Sequence, residues 1–121
     1  GSDPKTGSAS GRLTHSTLDY KLVDGTKVAK GWIDLTSGSL LHAINVTDLG
    51  EVLTDPYSCT WTHTATNGTI APVGGSVCAN WTSISASEGA STGCATCSDG
   101  KWTTGTYTSC SRACLLYCVE Q

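Results

Sequence analysis

The chain has no phenylalanine and no methionine among its 121 residues. Any core must therefore use smaller aliphatic side chains together with four Trp and four Tyr. Trp and Tyr each carry a polar atom that seeks a partner when buried. The chain also lacks any run of the ~18 apolar residues a spanning helix needs, so no helical membrane insertion is expected. Lys and Arg are missing from Gly31 to Gly100, an interval that holds six acids: Asp34, Asp48, Glu51, Asp55, Glu88 and Asp99. Five of the seven basic residues (Lys5, Arg12, Lys21, Lys27, Lys30) precede it, and only Lys101 and Arg112 follow. Nucleic acids and sulfated sugars need clustered cations that displace counterions. Such polyanionic partners are disfavoured.

Catalytic signatures are missing too. No Gly-x-Ser-x-Gly nucleophile elbow occurs, and His15, His42 and His63 include no pair at helical ligand spacing. His63 shares strand parity with Trp61 and reads as a packed histidine. Nothing in the pattern calls for an enzyme.

What the chain has in abundance is Gly, Ser and Thr, at 14, 15 and 19 residues, and seven cysteines. The first favours short strands and loops over long helices. The second points to disulfides in an oxidising compartment, secreted or on a cell surface. The opening "GSDPKTGSAS" is polar and shows no secretory leader. Gly1-Ser2 has the look of a cloning remnant, which is compatible with a leader already removed. Length gives one domain, and the expected fold class is α+β, mostly β, with long irregular loops.

Residues 1–17 read as a linker or the remnant of a shortened first segment, and 18–121 as the domain. Asp24-Gly25 predicts a turn between strands near 19–23 and 26–29. Trp32–Leu35 predicts one helical turn closed by Gly38. Ile44, Val46 and Val52 around Asp48-Leu49-Gly50 predict a hairpin. "CTWTHTATNGTIA" alternates: Cys59, Trp61, His63 and Ala65 lie on one face and Thr60, Thr62 and Thr64 on the other, ending in the Asn67-Gly68 turn. "VCANWTSISAS" predicts a strand or short helix. Residues 85–106 predict a long polar loop, a kind of segment that is usually functional or tied down. "ACLLYCVEQ" predicts a last strand with Cys114, Leu116 and Cys118 on one side.

With these elements placed, "CTWTHTATNGTIAPVGGSVCANWTS", Cys110 and the closing "LLYCVEQ" resemble the endostatin-like branch of the C-type-lectin-like fold. The likeness is to domains on bacterial cell surfaces, including those of spirochaetes, and runs from about Leu18 to Gln121. The motifs carrying it are Trp61, Cys78-x-x-Trp81, a Gly-rich loop, Cys110 and Cys118. The resemblance implies a non-catalytic recognition or adhesion domain for extracellular proteins or glycans. It also implies a Cys78–Cys110 bridge. It pairs the position of Cys118 with a cysteine on an opening helix that this sequence does not show, leaving Cys118 odd. Cys59 and Cys114, both on expected strands, are then left as a pair, and Cys94 with Cys97 closes a small ring. An odd cysteine suggests an intermolecular partner. The alternative function is thus a structural subunit, or a processed fragment, completed by another chain in a homo- or hetero-oligomer.

The rival for the cysteines is metal. Cys94-x-x-Cys97 with Cys110, Cys114 and Cys118 could offer thiolates to zinc or an iron–sulfur cluster. A Cys-x₃-Cys-x₃-Cys run is unusual for zinc, and "CATCSDG" lacks the helix that follows a redox Cys-x-x-Cys. Calcium could draw on Glu88, Asp99 and loop carbonyls. However, "ANWTS" stands where calcium-dependent lectins carry a Trp-Asn-Asp pattern, so no cofactor is expected. Trp61 and Trp81 fall at positions the resemblance makes structural. Trp102, beside Asp99 and Lys101 in the 85–106 loop, is the expected exposed anchor, with Ser87 and Glu88 completing the expected ligand-binding set.

Overall fold

Asp24 and Gly25 reverse the chain between two short strands, β1 (Tyr20–Lys21) and β2 (Lys27–Ala29), which pair antiparallel. Gly25 supplies a φ of 89°, and the Asp24 carboxylate accepts the Thr26 N–H at 2.9 Å, the local chemistry that favours this turn. In this computed structural model, which describes residues 1–72 and 76–120, β2 leads straight into a helical turn, α2 (Trp32–Leu35). Leu22, Val28, Ala29, Leu35 and Leu40 then form a first apolar core, flanked by Tyr20, Trp32, Ile44, Val46 and Trp102. The hairpin expected around 44–52 is reduced to one antiparallel bridge, Val46 to Val52.

The second sheet has three antiparallel strands in the order β3 (Cys59–Trp61), β4 (Gly89–Cys94), β5 (Thr106–Ser109). This corrects the reading of 85–106 as one long loop: β4 is its central strand, and Gly89 through Gly93 are buried. The run Gly-Ala-Ser-Thr-Gly lacks the bulky residues that usually mark a strand. Small side chains are what the site demands, because the Trp102 backbone and the Tyr107 ring press against Gly93 and Gly89. A 3₁₀ turn (Gly100–Trp102) follows β4. Val77, Cys78, Ala90 and Cys110 make a second core beside this sheet, flanked by Trp61 and Trp81.

Threonine takes the place that Phe and Met hold elsewhere. The Thr60, Thr62, Thr64 face of β3 and its continuation is fully buried, along with Thr92, Thr103 and Thr108. Burying hydroxyls is costly unless they are paired. Here the Thr103 hydroxyl donates to the Thr64 carbonyl at 2.8 Å, and the Thr92 and Thr108 hydroxyls bond each other at 2.8 Å. Thr64 donates to the Thr62 carbonyl at 2.7 Å.

Residues 1–17 are packed against the domain. Ser2 and Asp3 are buried, Ser2 N–H donates to the Thr62 carbonyl at 2.9 Å, and Ala9–Arg12 forms a short helix, α1, capped by Ser8. One further expectation, the last strand, is corrected: the final segment is not a full strand. It touches β3 through a single parallel bridge, Thr60 to Leu115, and is tethered instead by covalent sulfur.

Three disulfides join Cys59 to Cys114, Cys78 to Cys110 and Cys94 to Cys97. Cys118 is free and exposed. The thiols that a zinc or iron–sulfur site would recruit are thus taken up in disulfides: Cys94 with Cys97, Cys110 with Cys78 and Cys114 with Cys59. Among the described residues, no helix is long and apolar enough to cross a membrane.

His63 ends β3's extended course with a φ of 42° and is buried. Its Nδ1 accepts the Ser91 N–H at 3.3 Å, which requires the neutral ring. Burial holds its pKa below the ordinary histidine value, with the Asp3 carboxylate partly opposing. The unfolded chain therefore takes up a proton that folded His63 resists. This contribution to stability is complete above about pH 6.5 and is lost as pH falls below it towards the depressed folded value. Urea midpoints should drop between about pH 7 and about pH 5. His63→Asn keeps an acceptor and tolerates the left-handed backbone, so it should flatten that slope. An unchanged slope would refute the assignment.

Candidate functional site

The five residues of the expected binding loop do not converge. Ser87 and Glu88 precede β4, whereas Asp99, Lys101 and Trp102 follow it. Six strand residues span roughly 20 Å. Ser87 is exposed and its amide donates to the Ser85 hydroxyl at 3.3 Å. The Glu88 carbonyl accepts the Cys110 N–H at 2.9 Å. Asp99 caps the 3₁₀ turn by accepting the Lys101 N–H at 3.1 Å. Lys101 is exposed.

Trp102, expected as the exposed anchor, is half-buried against the first core. Its ring lies 5.7 Å from that of Tyr117 at a tilt of 54°. Its indole N–H is buried without a partner among the described residues. The Tyr117 hydroxyl donates to the Trp102 carbonyl at 2.9 Å, and burial pushes its pKa up to about 12. Trp102 thus packs the last segment onto the 3₁₀ turn.

The histidines are also dispersed. His15 stacks on Trp32 at 4.1 Å with its plane 5° away, His42 is exposed, and His63 is buried in the threonine layer. Among the described residues, no three His, Cys, Asp or Glu side chains are grouped to hold a metal ion.

A concavity lies elsewhere. Trp61, at the end of β3, meets Trp81 edge-on, with ring centroids 5.9 Å apart and planes at 66°. Trp81 is brought there by Val77–Trp81, a short helical turn (α3) whose five residues all have left-handed φ, from 48° to 69°. Such a turn is costly for residues other than glycine. It is anchored at Cys78 by the buried bond to Cys110. The two indoles, that disulfide, Ile84 and Leu116 surround a groove of about 450 Å³.

Ile84 is 85% exposed and Leu116 70%. Among the described residues, no acidic side chain lines the groove; Ser83 and Arg112 bring polar side chains to it, and Gly1 also lines it. Arg112 makes no ion pair among the described residues. Chemically, the groove can desolvate an apolar or aromatic side chain and meet a neighbouring carboxylate with the guanidinium.

Models of known protein families, curated proteins and solved structures yield no match to this chain. The groove is accordingly read from its own chemistry. Trp61 and Trp81 were legible only as structural residues. Ile84 and Leu116 carried no sequence signal, because their exposure depends on how α3 turns and on where the last segment is tethered.

Proposed function

We propose that this chain is a non-catalytic extracellular recognition domain, of C-type-lectin-like and endostatin-like kind, that binds a protein partner through the Trp61–Trp81 groove. The partner segment offers an aromatic or aliphatic side chain next to an acidic one. The observation carrying this reading is the exposure of Ile84 and Leu116 beside two half-buried indoles, with the Arg112 guanidinium among the lining groups. Solvent-exposed apolar residues clustered around a concavity of this size are typical of interaction sites. Trp and Arg are the usual sources of binding energy. A glycan is the weaker candidate, since a sugar ring needs several acceptors for its hydroxyls besides an aromatic face, and among the described residues no carboxylate or amide side chain lines the groove. The three disulfides and the oxidising compartment they require support secretion or surface display.

Panels of extracellular matrix proteins and arrayed glycans, probed with wild type, Trp81→Ala and the surface variant Ile84→Asp, test this. Binding should fall on the protein panel and weaken at least roughly tenfold in both variants. Binding confined to glycans, or protein binding indifferent to both substitutions, would refute it.

The exposed Cys118 favours a second reading, a subunit completed by another chain through an intermolecular disulfide. Non-reducing electrophoresis should then show a linked species that Cys118→Ser removes. A monomer in both gels eliminates it.

A further inference from the structure

The Ala95 N–H donates to the Ser58 carbonyl at 3.0 Å. That bond makes the register partners Cys59 and Cys94 a non-hydrogen-bonded antiparallel pair. In such pairs the Cα atoms approach to about 4.5 Å and the two side chains share a face. Each cysteine is already bonded elsewhere, Cys59 to Cys114 and Cys94 to Cys97. Two disulfides therefore lie side by side at one end of the second sheet. All four cysteines are half-exposed, whereas Cys78 and Cys110 are buried.

We propose that these two disulfides form a thiol–disulfide exchange site in which a dithiol reductant opens Cys94–Cys97 and Cys94 then displaces Cys114 to create a cross-strand Cys59–Cys94 bond. In the first step the dithiol is oxidised to its own disulfide and supplies two electrons, and Cys94 and Cys97 become thiols. In the second, the Cys94 thiolate attacks the Cys59 sulfur. The Cys59–Cys114 bond breaks, and the Cys114 thiolate leaves and takes up the proton that Cys94 gave up. The net change is a two-electron reduction with thiols at Cys97 and Cys114.

Entry at Cys94–Cys97 follows from its accessibility and its sequence separation of 3, since no strand must open to admit the reductant. The consequence falls on the last segment. Once Cys114 is released, its link to β3 is reduced to the hydrogen bonds Leu115 exchanges with Cys59 and Trp61, each 2.9 Å. Leu116 on that segment lines the groove, so the switch would alter the groove's wall. The exchange itself does not depend on the groove being a recognition site.

The test uses a Cys118→Ser background, which removes a competing thiol. The protein is treated with one equivalent of dithiothreitol, quenched in acid, alkylated and mapped for disulfide-linked peptides. A peptide joining Cys59 to Cys94, with label on Cys97 and Cys114, is expected, together with loss of the Cys59–Cys114 peptide. Label on Cys94 and Cys97 with Cys59–Cys114 intact would overturn the proposal. So would resistance of both bonds to the reductant. Cys97→Ser in the same background frees Cys94 without any reductant. Cys114 should then be the labelled thiol, and label retained on Cys94 would overturn the proposal independently.

Discussion

Replacing Cys78 and Cys110 together by alanine should cost about 4 kcal/mol of folding stability. The bridge spans a sequence separation of 32, and closing a loop of that size removes roughly 3–4 kcal/mol of unfolded-chain entropy. Both cysteines also belong to the small second core, so their removal loosens the contacts of Ala90 and Val77. Domains of this kind are stable by only about 5–15 kcal/mol, which makes this single bond a large share of the total. Its loss should also let the left-handed turn at Val77–Trp81 relax, because Cys78 sits within it. Equilibrium unfolding in urea reads the effect directly, as a fall in midpoint of about 2 M. A loss under about 1 kcal/mol would mean that packing of Trp61 on Trp81, rather than sulfur, holds that region.

Gly93→Ala should cost about 3 kcal/mol, for a different reason. Gly93 pairs with Thr60 in the centre of the second sheet. A Cβ there would overlap the Trp102 carbonyl oxygen, with the Trp102 carbonyl carbon at 2.7 Å and the Thr103 Cα at 3.0 Å. These are backbone atoms, so no side-chain rotation relieves the clash. The 3₁₀ turn would have to lift off β4, and the Thr103 hydroxyl bond to the Thr64 carbonyl would go with it. Gly11→Ala is the control. Its Cβ meets only the Ser8 hydroxyl at 3.3 Å, and it lies within α1, where alanine is favoured over glycine. It should be neutral or slightly stabilising. Equal effects from the two substitutions would contradict the packing described for β4.

These two predictions mark where the sequence was and was not legible. The β1–β2 turn and α2 could be read directly, because Asp24-Gly25 and Gly38 act within a few residues of themselves. The sheet strand β4 could not, because its small residues record what presses on them from afar: the Trp102 backbone and the Tyr107 ring. Composition signals only "loop" for such a stretch. The threonine layer misleads in the same way, since hydroxyls such as those of Thr62 and Thr103 look solvated until the carbonyls they reach on other segments are known.

The last segment shows the opposite error. Cys114, Leu116 and Cys118 share parity, yet among the described residues only one bridge forms there, and Leu116 is left exposed. Parity implies a buried face only where a neighbouring strand supplies the ladder. The expected ligand-binding residues lie before and after β4, a separation that composition did not signal. The groove was invisible because Trp81 reaches it through a left-handed turn of residues that, Asn80 apart, rarely adopt one.

The most direct test of the groove uses the indole N–H signals of the four tryptophans. Protein labelled with ¹⁵N is titrated with 3-phenylpropionate, a probe that joins an aromatic ring to a carboxylate. The Trp81 and Trp61 indole signals should shift together in a saturable way, with Trp32 and Trp102 unmoved, and Arg112→Gln should weaken the response. Shifts confined to Trp102, or none at any indole, would contradict a recognition site between Trp61 and Trp81.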